Sequence, residues 1–210
     1  MVRELTARGI ADKRVLDALD GIPREAFVEE ALRSKAYSDA ALPIGEKQTI
    51  SQPYIVARMC ELIEPDGTGR VLEIGSGSGY HAAVLSRLFD QVYSVERIAT
   101  FSKRARAAVR ALGIENVHFK IFDGSYGWSE FAPYRAIVVT AAAPDVPAPL
   151  LEQLEEGGRL VLPIGSPGKG GDDGATQSLV RVVKSAAGLR REDHGPCRFV
   201  PLLGKFGWTV

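Results

Sequence analysis

The feature that most constrains the fold is a glycine-rich loop over residues 75–79, which follows the short apolar run Arg70–Ile74 and precedes a helical pattern at Ala82–Leu88. Its residues are Gly75, Ser76, Gly77, Ser78 and Gly79. Glycine has no Cβ, so the backbone here can approach a ligand closely. A strand, a glycine loop and a helix in this order are typical of nucleotide-binding α/β proteins. A tight turn without a ligand is the alternative, which three alternate glycines make less favoured.

The rest of the chain supports an α/β fold with a mostly parallel sheet. Strand-like runs alternate with helical patterns, which predicts right-handed crossovers between parallel strands. The predicted parallel strands are Arg70–Ile74, Val92–Val95, Val117–Phe122, Ala136–Val139 and Arg159–Leu162, and the last helix before the fifth is Val146–Leu154. A glycine-rich stretch from Gly165 to Gly174 then predicts a flexible connection. The later runs Ser178–Val183 and Arg198–Leu203 have no long helix between them and predict an antiparallel addition at the sheet edge.

The first fifty residues form a separate region of short helices and loop. Arg3–Ala18 predicts a helix interrupted at Gly9, with Asp12 as an N-cap, and Glu25–Leu32 predicts a second short helix. Residues 38–51 have little periodicity and are interpreted as an ordered loop. We therefore expect one domain with three parts: an N-terminal cap over 1–52, a cofactor-binding core over 53–164 and C-terminal strands over 165–210.

Carboxylates follow three successive predicted strands. Glu73 lies just before the glycine loop, Glu96 ends the next strand 21 residues after Gly75, and Asp123-Gly124 ends the third. Because ligands of open α/β sheets lie beyond the carboxyl ends of the strands, we expect these carboxylates to converge on one crevice. An acidic residue about 20 residues after the loop is the usual partner of ribose hydroxyls. Carboxylates without Lys or Arg would repel phosphate, so a ligand with an adenosine and a cation fits, as in S-adenosylmethionine.

Composition excludes several classes of protein. The 26 Lys and Arg balance the 26 Asp and Glu, and this zero net charge argues against a protein that wraps nucleic acid. The sequence contains no run of 18 apolar residues, so we expect no membrane span. The first fourteen residues lack the apolar run of a signal peptide, and the two cysteines, Cys60 and Cys197, suit a reduced cytoplasmic protein, although one disulfide stays possible.

Several longer motifs extend the pattern over nearly the whole chain. They are Ile22-Pro23-Arg24-Glu25-Ala26-Phe27-Val28, Tyr37-Ser38-Asp39, Leu42-Pro43-Ile44-Gly45, the run from Gln48 to Ala57, the glycine loop, Val92–Glu96, Asp123-Gly124, Gly127-Trp128, Gly157–Leu160 and Phe199–Leu202. Together they resemble the protein-L-isoaspartate O-methyltransferase family. The resemblance implies a Rossmann-like methyltransferase fold that uses S-adenosyl-L-methionine and releases S-adenosyl-L-homocysteine. It also implies substrates that are proteins and peptides with L-isoaspartyl residues, methylated on the α-carboxylate so that repair proceeds through a succinimide.

The resemblance assigns roles to residues outside the glycine loop. It makes Ser51 the catalytic residue that holds the substrate carboxylate, and Ile50, Val200, Pro201 and Leu202 the lining of a peptide groove. From the residues alone, Ser51 before Gln52-Pro53 is equally a helix N-cap, and Val200–Leu202 is equally a core strand. We expect a monomer, with neither nucleic acid nor a membrane as a partner.

The chemistry of this reaction agrees with what the sequence lacks. An α-carboxyl titrates near pH ~3.5, so the nucleophile is ionised at neutral pH and needs no general base. The three histidines, His81, His118 and His194, are scattered, and we expect no metal site. Catalysis is then expected to come from placement and desolvation of the carboxylate.

Two residues depart from the family pattern. Arg135 stands where the family usually has Asp, at the start of the fourth strand, where we expect a structural effect only. Lys47 stands where the family often has Gly, near the expected substrate mouth.

Other functions remain open at this point. A methyltransferase of RNA or of a small molecule, and a non-catalytic S-adenosylmethionine-binding subunit, are the main alternatives. A nicotinamide-dependent dehydrogenase is the weakest because of the loop spacing and Glu73.

Overall fold

The N-terminal region packs five short helical segments and a hairpin against one face of the molecule, in a computed structural model that describes residues 1–166 and 177–209. Its elements are α1 (Val2–Ala7), α2 (Lys13–Gly21), two 3-10 helices (Arg24–Phe27 and Glu30–Lys35), β1 (Leu42–Gly45), β2 (Gln48–Ile50) and α3 (Pro53–Leu62). The predicted interruption between the first two helices is confirmed. Asp12 is the N-cap of α2, as predicted, because its side chain accepts from the backbone N–H groups of Arg14 and Val15.

Seven further strands form the central sheet. They are β3 (Arg70–Ile74), β4 (Gln91–Glu96), β5 (Val117–Ile121), β6 (Tyr134–Val139), β7 (Leu154–Gly165), β8 (Gln177–Ser185) and β9 (Gly188–Cys197), and the helices among them are α4 (Tyr80–Leu85), α5 (Ala99–Ala111) and α6 (Ala148–Gln153). The strand order is β5-β4-β3-β6-β7-β8-β9. The first five in this order are parallel, and β8 and β9 are antiparallel. The predicted mostly parallel α/β sheet with an antiparallel addition is confirmed.

The order of the strands places a crevice at one end of the sheet. The chain runs from β3 to β4 and β5 on one side, and then returns to β6 and β7 on the other side of β3. This reversal lies between β3 and β6, and ligands of open α/β sheets bind beyond the carboxyl ends of the strands at such a point.

Two hydrophobic cores cover the two faces of the sheet. Alternate residues of β3 divide between them, with Val71 in the core that includes α2 to α5 and Leu72 in the core that includes α6. The N-terminal region contributes to the first core, where Ile44 and Ile50 are buried as the sequence required. Within the described residues, no helix combines the length and the apolar character needed to cross a membrane.

The prediction of a loop over residues 38–51 is wrong, because β1 and β2 form an antiparallel hairpin there. The turn is made by Glu46 and Lys47, which both have positive φ, at 46° and 59°. Two-residue hairpin turns usually carry Asn or Gly at such positions, so the sequence gives no turn signal. Lys47, the departure from the family's glycine, therefore occupies a left-handed backbone conformation that glycine adopts without strain.

The prediction of a strand over Arg198–Leu203 is also wrong. The strand that pairs with β8 is β9, whose sequence is mostly polar and charged, including Arg190, Arg191 and Glu192. An exposed edge strand does not need an apolar face, so hydrophobic alternation does not mark it. Residues 198–203 instead cross the carboxyl ends of the strands, with isolated bridges between Ala142 and Pro201 and between Leu203 and Trp208.

Three smaller differences concern element boundaries. The predicted helix Glu25–Leu32 is two 3-10 helices, and the predicted helix Val146–Leu154 is shorter, at Ala148–Gln153. The fifth parallel strand begins at Leu154 rather than Arg159, with a register irregularity opposite Tyr134 and Ala136. The predicted flexible connection between Gly165 and Gly174 lies almost entirely outside the described residues.

Candidate functional site

A pocket opens at the crevice beyond β3 and β6 and is lined by segments from all three parts of the chain. The lining residues are Gln48, Thr49, Ile50, Ser51, Val56, Ile74, Gly75, Ser76, Gly77, Ser78, Tyr80, His81, Val95, Glu96, Arg97, Ile98, Phe101, Gly124, Thr140, Ala141, Val200, Pro201, Leu202 and Leu203. We call residues 75–78 with Glu96 the loop wall, and Ile50, Ser51 and residues 200–203 the two-segment wall.

The glycine loop leaves β3 in a conformation that needs glycine at both of its ends. Gly75 has φ 96°, and a Cβ there would lie 2.4 Å from Oγ1 of Thr140. Gly79 has φ 89°, and a Cβ there would lie 2.9 Å from Cβ of Ala105 in α5. Gly75 is therefore needed for close packing on the loop after β6, and Gly79 for packing of α4 on α5. Of the five predicted loop residues, four line the pocket and Gly79 does not.

Glu96 ties the loop wall together from the end of β4. One carboxylate oxygen accepts from the backbone N–H of Gly77 at 3.0 Å, and the other accepts from the N–H of Ile98 at 2.9 Å. The side chain is buried and also lines the pocket. Each carboxylate oxygen has two lone pairs, so both can accept a further hydrogen bond from a ribose hydroxyl.

Glu73 lies behind the loop wall and does not line the pocket. Its carboxylate is fully buried, with one oxygen accepting from the hydroxyl of Ser94 and the other without a partner among the described residues. Burial raises the pKa of Glu73 to about 8, and nearby Glu96 raises the pKa further while the Ser94 hydrogen bond lowers it. The hydroxyls of Ser94 and Ser76 are 2.5 Å apart, so a short chain of hydrogen bonds connects Glu73 to the pocket.

Asp123 is not in the pocket lining, although it was expected there. Its carboxylate accepts from the N–H and hydroxyl of Ser125 and from the N–H of Lys205, so it connects the end of β5 to the C-terminal segment. Gly124 does line the pocket. Of the three carboxylates expected to converge there, Glu96 alone is in the lining, and Arg97 adds a cation that the sequence analysis did not anticipate.

Ser51 brings a free hydroxyl to the pocket. The N-cap of α3 is Gln52, with Pro53 in the first turn, so the interpretation of Ser51 as the N-cap is wrong by one residue. Its hydroxyl makes no hydrogen bond with any residue in the described ranges, whereas its backbone carbonyl accepts from Arg24. Ile50 beside it is buried and also lines the pocket.

Val200, Pro201 and Leu202 complete the two-segment wall. The N–H of Ala142 donates to the carbonyl of Val200 at 2.7 Å, and the N–H of Leu202 donates to the carbonyl of Ala142 at 2.8 Å. The indole of Trp208 donates to the same carbonyl of Ala142. These apolar residues therefore line the pocket, while Leu202 is also part of the core that includes α6, and their role in a peptide groove stays a prediction.

Several lining residues were not predicted from the sequence, including Tyr80, His81, Ile98 and Phe101. Their position in the chain is the one indication that the sequence offers, because they follow the glycine loop or Glu96 within a few residues. His81 is buried with its Nε2 3.3 Å from the sulfur of Cys60, and burial lowers the pKa of His81 to about 4. In the described part of the chain no three or more His, Cys, Asp or Glu residues are grouped so as to hold a metal ion.

The arrangement can hold a nucleoside against the loop wall and a second molecule against the two-segment wall. Backbone and carboxylate acceptors face the first position, and a single hydroxyl with apolar neighbours faces the second. The histidine in the lining, His81, has a lowered pKa, and the arrangement is suited to a reaction between two bound molecules.

Comparison with known proteins agrees with this arrangement. Residues 1–207 match the family model described as protein-L-isoaspartate(D-aspartate) O-methyltransferase. A protein-L-isoaspartate O-methyltransferase of Geobacter metallireducens is 54% identical over 206 residues, covering 98% of this chain and 92% of the relative. One from Geotalea uraniireducens is 52% identical over 207 residues, with the same coverage of both chains.

Solved structures agree as well. A protein-L-isoaspartate O-methyltransferase structure has a TM-score of 0.85 and 36% identity, and the match covers 98% of this chain and 66% of that one. The fold is also similar to that of a Plasmodium falciparum protein described as a putative protein-L-isoaspartate O-methyltransferase in complex with S-adenosyl-L-homocysteine. The TM-score is 0.77 at 23% identity, and the match covers 95% of this chain and 94% of that one. With the family model matching almost the whole chain, the protein belongs to the protein-L-isoaspartate(D-aspartate) O-methyltransferase family.

Proposed function

We propose that the protein transfers the methyl group of S-adenosyl-L-methionine to the α-carboxylate of L-isoaspartyl residues in damaged proteins and peptides. The observation that carries this proposal is the hydroxyl of Ser51, which lies in the same pocket as the glycine loop and has no partner among the described residues. Relatives that share half of the residues are named for this activity, which supports the same assignment here.

The loop wall fits the cofactor. The Glu96 carboxylate has free lone pairs for ribose hydroxyls, and Ile98 and Phe101 add apolar surface for a base. Glu73 lies behind Ser76 and connects to the pocket through the hydroxyl of Ser94. The bound cofactor would supply an electrophilic methyl group on a sulfonium.

Ser51 and its neighbours act on the other reactant. The Ser51 hydroxyl donates a hydrogen bond to the substrate α-carboxylate, which is already ionised at neutral pH. Ile50 and Val200–Leu202 exclude water from the carboxylate and hold the peptide on both sides of it. Orientation of this kind supplies about 7–11 kcal/mol in favourable cases, so a general base is not required.

We further propose that the three parts of the chain work as one domain, in which the cap 1–52 brings Ser51 and the C-terminal part 165–210 brings Val200–Leu202 to the core 53–164. We propose that this domain acts as a monomer in the cytoplasm and that nucleic acid is not a partner. The free thiols of Cys60 and Cys197 and the zero net charge support it.

The test is methyl transfer from labelled S-adenosyl-L-methionine to two peptides that differ only in isoaspartyl or normal aspartyl at one position. We expect label on the isoaspartyl peptide alone. Label on neither peptide, with the cofactor still bound, would refute the proposal in favour of another acceptor or a binding-only role. Label on RNA in place of peptide would point to a different class of methyltransferase.

A further inference from the structure

Arg24 is a fully buried cation directly behind the two-segment wall. Its side chain is 0% exposed, and its Nε and Nη2 donate to the backbone carbonyls of Ala36 and Ser51, each at 2.8 Å. Its remaining nitrogen, Nη1, has no hydrogen-bond partner within the described ranges. One guanidinium therefore connects the end of the second 3-10 helix to the segment that carries Ser51.

The charge of Arg24 is not neutralised by a carboxylate in contact with it. Arg24 takes part in no ion pair among residues 1–166 and 177–209, and Asp39, which acts on it from further away, is paired with Arg8. Its nearest ring is that of Tyr80, whose centroid lies 4.7 Å from the guanidinium carbon. A guanidinium stays protonated even when buried, and a buried charge without a partner is costly.

The neighbouring Tyr80 shows the same feature. Its ring is 1% exposed and lines the pocket, yet its hydroxyl has no hydrogen-bond partner in the described part of the chain. Buried polar atoms are almost always paired in folded proteins. The phenol of Tyr80 and the guanidinium of Arg24 interact with each other and lie side by side, with no carboxylate in contact, against the end of the pocket where Ser51 is found.

We propose that Arg24 is a positioning residue for the substrate carboxylate: it holds Ser51 through the backbone carbonyl and makes this end of the pocket electropositive. The inference rests on the proposed function, in which an α-carboxylate is bound at Ser51. A fixed positive charge behind Ser51 stabilises a carboxylate that is losing its water, and the carboxylate in turn offsets the charge of Arg24.

Arg24 acts through its neighbours, because it does not itself line the pocket. Its charge is felt by an anion at Ser51 but not by an uncharged group of the same shape. The consequence is a preference for peptides with a free α-carboxylate over the same peptides with an α-carboxamide. A purely structural role for Arg24 would weaken the binding of both peptides and of the cofactor together.

The experiment compares Arg24→Gln, which removes the charge, with Arg24→Lys, which keeps the charge but not the planar fork. Arg14→Lys is the control, since Arg14 also donates to a backbone carbonyl, that of Pro65, outside the pocket. Each protein is titrated with an isoaspartyl peptide and with its α-carboxamide in the presence of S-adenosyl-L-homocysteine. The affinity for S-adenosyl-L-homocysteine is measured separately.

In Arg24→Gln we expect the carboxylate-to-carboxamide affinity ratio to fall about tenfold, which corresponds to about 1.4 kcal/mol. In Arg24→Lys and Arg14→Lys the ratio stays within about threefold of the wild-type ratio, and only Arg24→Lys lowers kcat, because an ammonium does not hold both carbonyls. The affinity for S-adenosyl-L-homocysteine is expected to stay within about twofold in all variants.

An unchanged ratio in Arg24→Gln would overturn the inference, as would a loss of S-adenosyl-L-homocysteine affinity in the same proportion. A wild-type protein that does not methylate the isoaspartyl peptide would instead refute the proposed function. The two failures are therefore distinguishable.

If neither Arg24 variant folds, the wild-type protein still provides a test. Its carboxylate-to-carboxamide ratio is measured between about 0.05 and 1 M NaCl, because salt screens exposed charges much more than buried ones. We expect the ratio to change less than about threefold. A collapse of the ratio in salt would assign the preference to surface cations and overturn the inference.

Discussion

The two walls of the pocket are built in opposite ways. The loop wall comes from neighbouring parallel strands and has its polar groups bonded within the protein, including the two oxygens of Glu96. The two-segment wall joins residues that are 150 positions apart in the chain, and the hydroxyl of Ser51 has no partner in the part of the chain that the structure describes. The comparison indicates that one wall is fixed before any ligand binds, while the other keeps donors available for an incoming anion.

The largest effect is expected directly after the loop wall, from Gly79→Ala. The new Cβ would be 2.9 Å from Cβ of Ala105 at a φ of 89°, so left-handed strain and overpacking act together. We expect the free energy of unfolding to fall by about 3 kcal/mol, measured by urea denaturation. Gly45→Ala is the control, since Gly45 has φ 101° but nothing within 4 Å of a Cβ, and only the strain would remain. Equal losses in both variants would argue against close packing on α5.

The next effect concerns the buried carboxylate behind the loop wall. The pKa of Glu73 is raised to about 8, so the folded state binds a proton that the unfolded state has released. The contribution of Glu73 to the free energy of unfolding is therefore fully present below its ordinary pKa and is lost as the pH rises towards 8. His81, with its pKa lowered to about 4, acts in the opposite direction below pH ~6.5, where folded His81 stays neutral.

The window from pH ~6.5 to 8 thus isolates Glu73. We expect the free energy of unfolding of the cofactor-free protein to fall by up to about 2 kcal/mol across that window, at a slope of no more than about 1.4 kcal/mol per pH unit. Glu73→Gln is expected to have a flat profile there, by denaturation at several pH values. A wild-type profile as flat as that of the variant would mean that Glu73 is ionised in the folded protein.

On the two-segment wall, Ser51→Ala is expected to separate activity from stability. The lost hydrogen bond to a charged group is worth about 1.5–3 kcal/mol, so kcat/KM for an isoaspartyl peptide falls about 10- to 100-fold. Because the hydroxyl has no hydrogen-bond partner among residues 1–166 and 177–209 and the N-cap is Gln52, the melting temperature should stay constant. Parallel losses of activity and melting temperature would contradict the role of Ser51 in binding the carboxylate.

The smallest effect is expected at the hairpin that leads to Ser51. Lys47 has φ 59°, and Lys47→Gly relieves left-handed strain while adding freedom to the unfolded chain. We expect a net stabilisation of about 0.5 kcal/mol, measured by thermal denaturation, without loss of cofactor affinity.

Arg135→Ala is a comparison at the opposite end of β6, where Arg135 pairs with Asp66 and Glu155 on the surface. It should cost less than about 1 kcal/mol and leave activity unchanged.

The parts of the molecule that could be predicted from the sequence are those with a local physical signal. The glycine loop, the carboxylate of Glu96 and the burial of Ile44 and Ile50 follow from residue type and position in a strand or loop. The hairpin was missed because Glu46 and Lys47 do not resemble the residues that usually make such a turn. Ser51 and Val200–Leu202 were predicted as site residues from the motif resemblance and not from periodicity.

The rest depends on contacts between distant segments. Asp123 follows a strand end as a ligand contact would, but Lys205 and Ser125 use its oxygens. Arg24 is a charged residue in a short 3-10 helix, and nothing nearby in the chain indicates complete burial. The burial and the hydrogen-bond partners of such residues depend on which distant segment packs against them. A single sequence does not contain this information.

The polar character of β9 also affects how copies of the protein meet one another. An open sheet leaves backbone donors and acceptors unpaired along its outer strand. The outer strands of two molecules can therefore pair edge to edge and form larger aggregates. Arg190, Arg191 and Glu192 place charges along this edge, and Pro196 removes one backbone donor from it. The register irregularity opposite Ser178 and Val180 further distorts the edge. The strand that hydrophobic patterning failed to mark is thus the one that discourages self-association at high concentration.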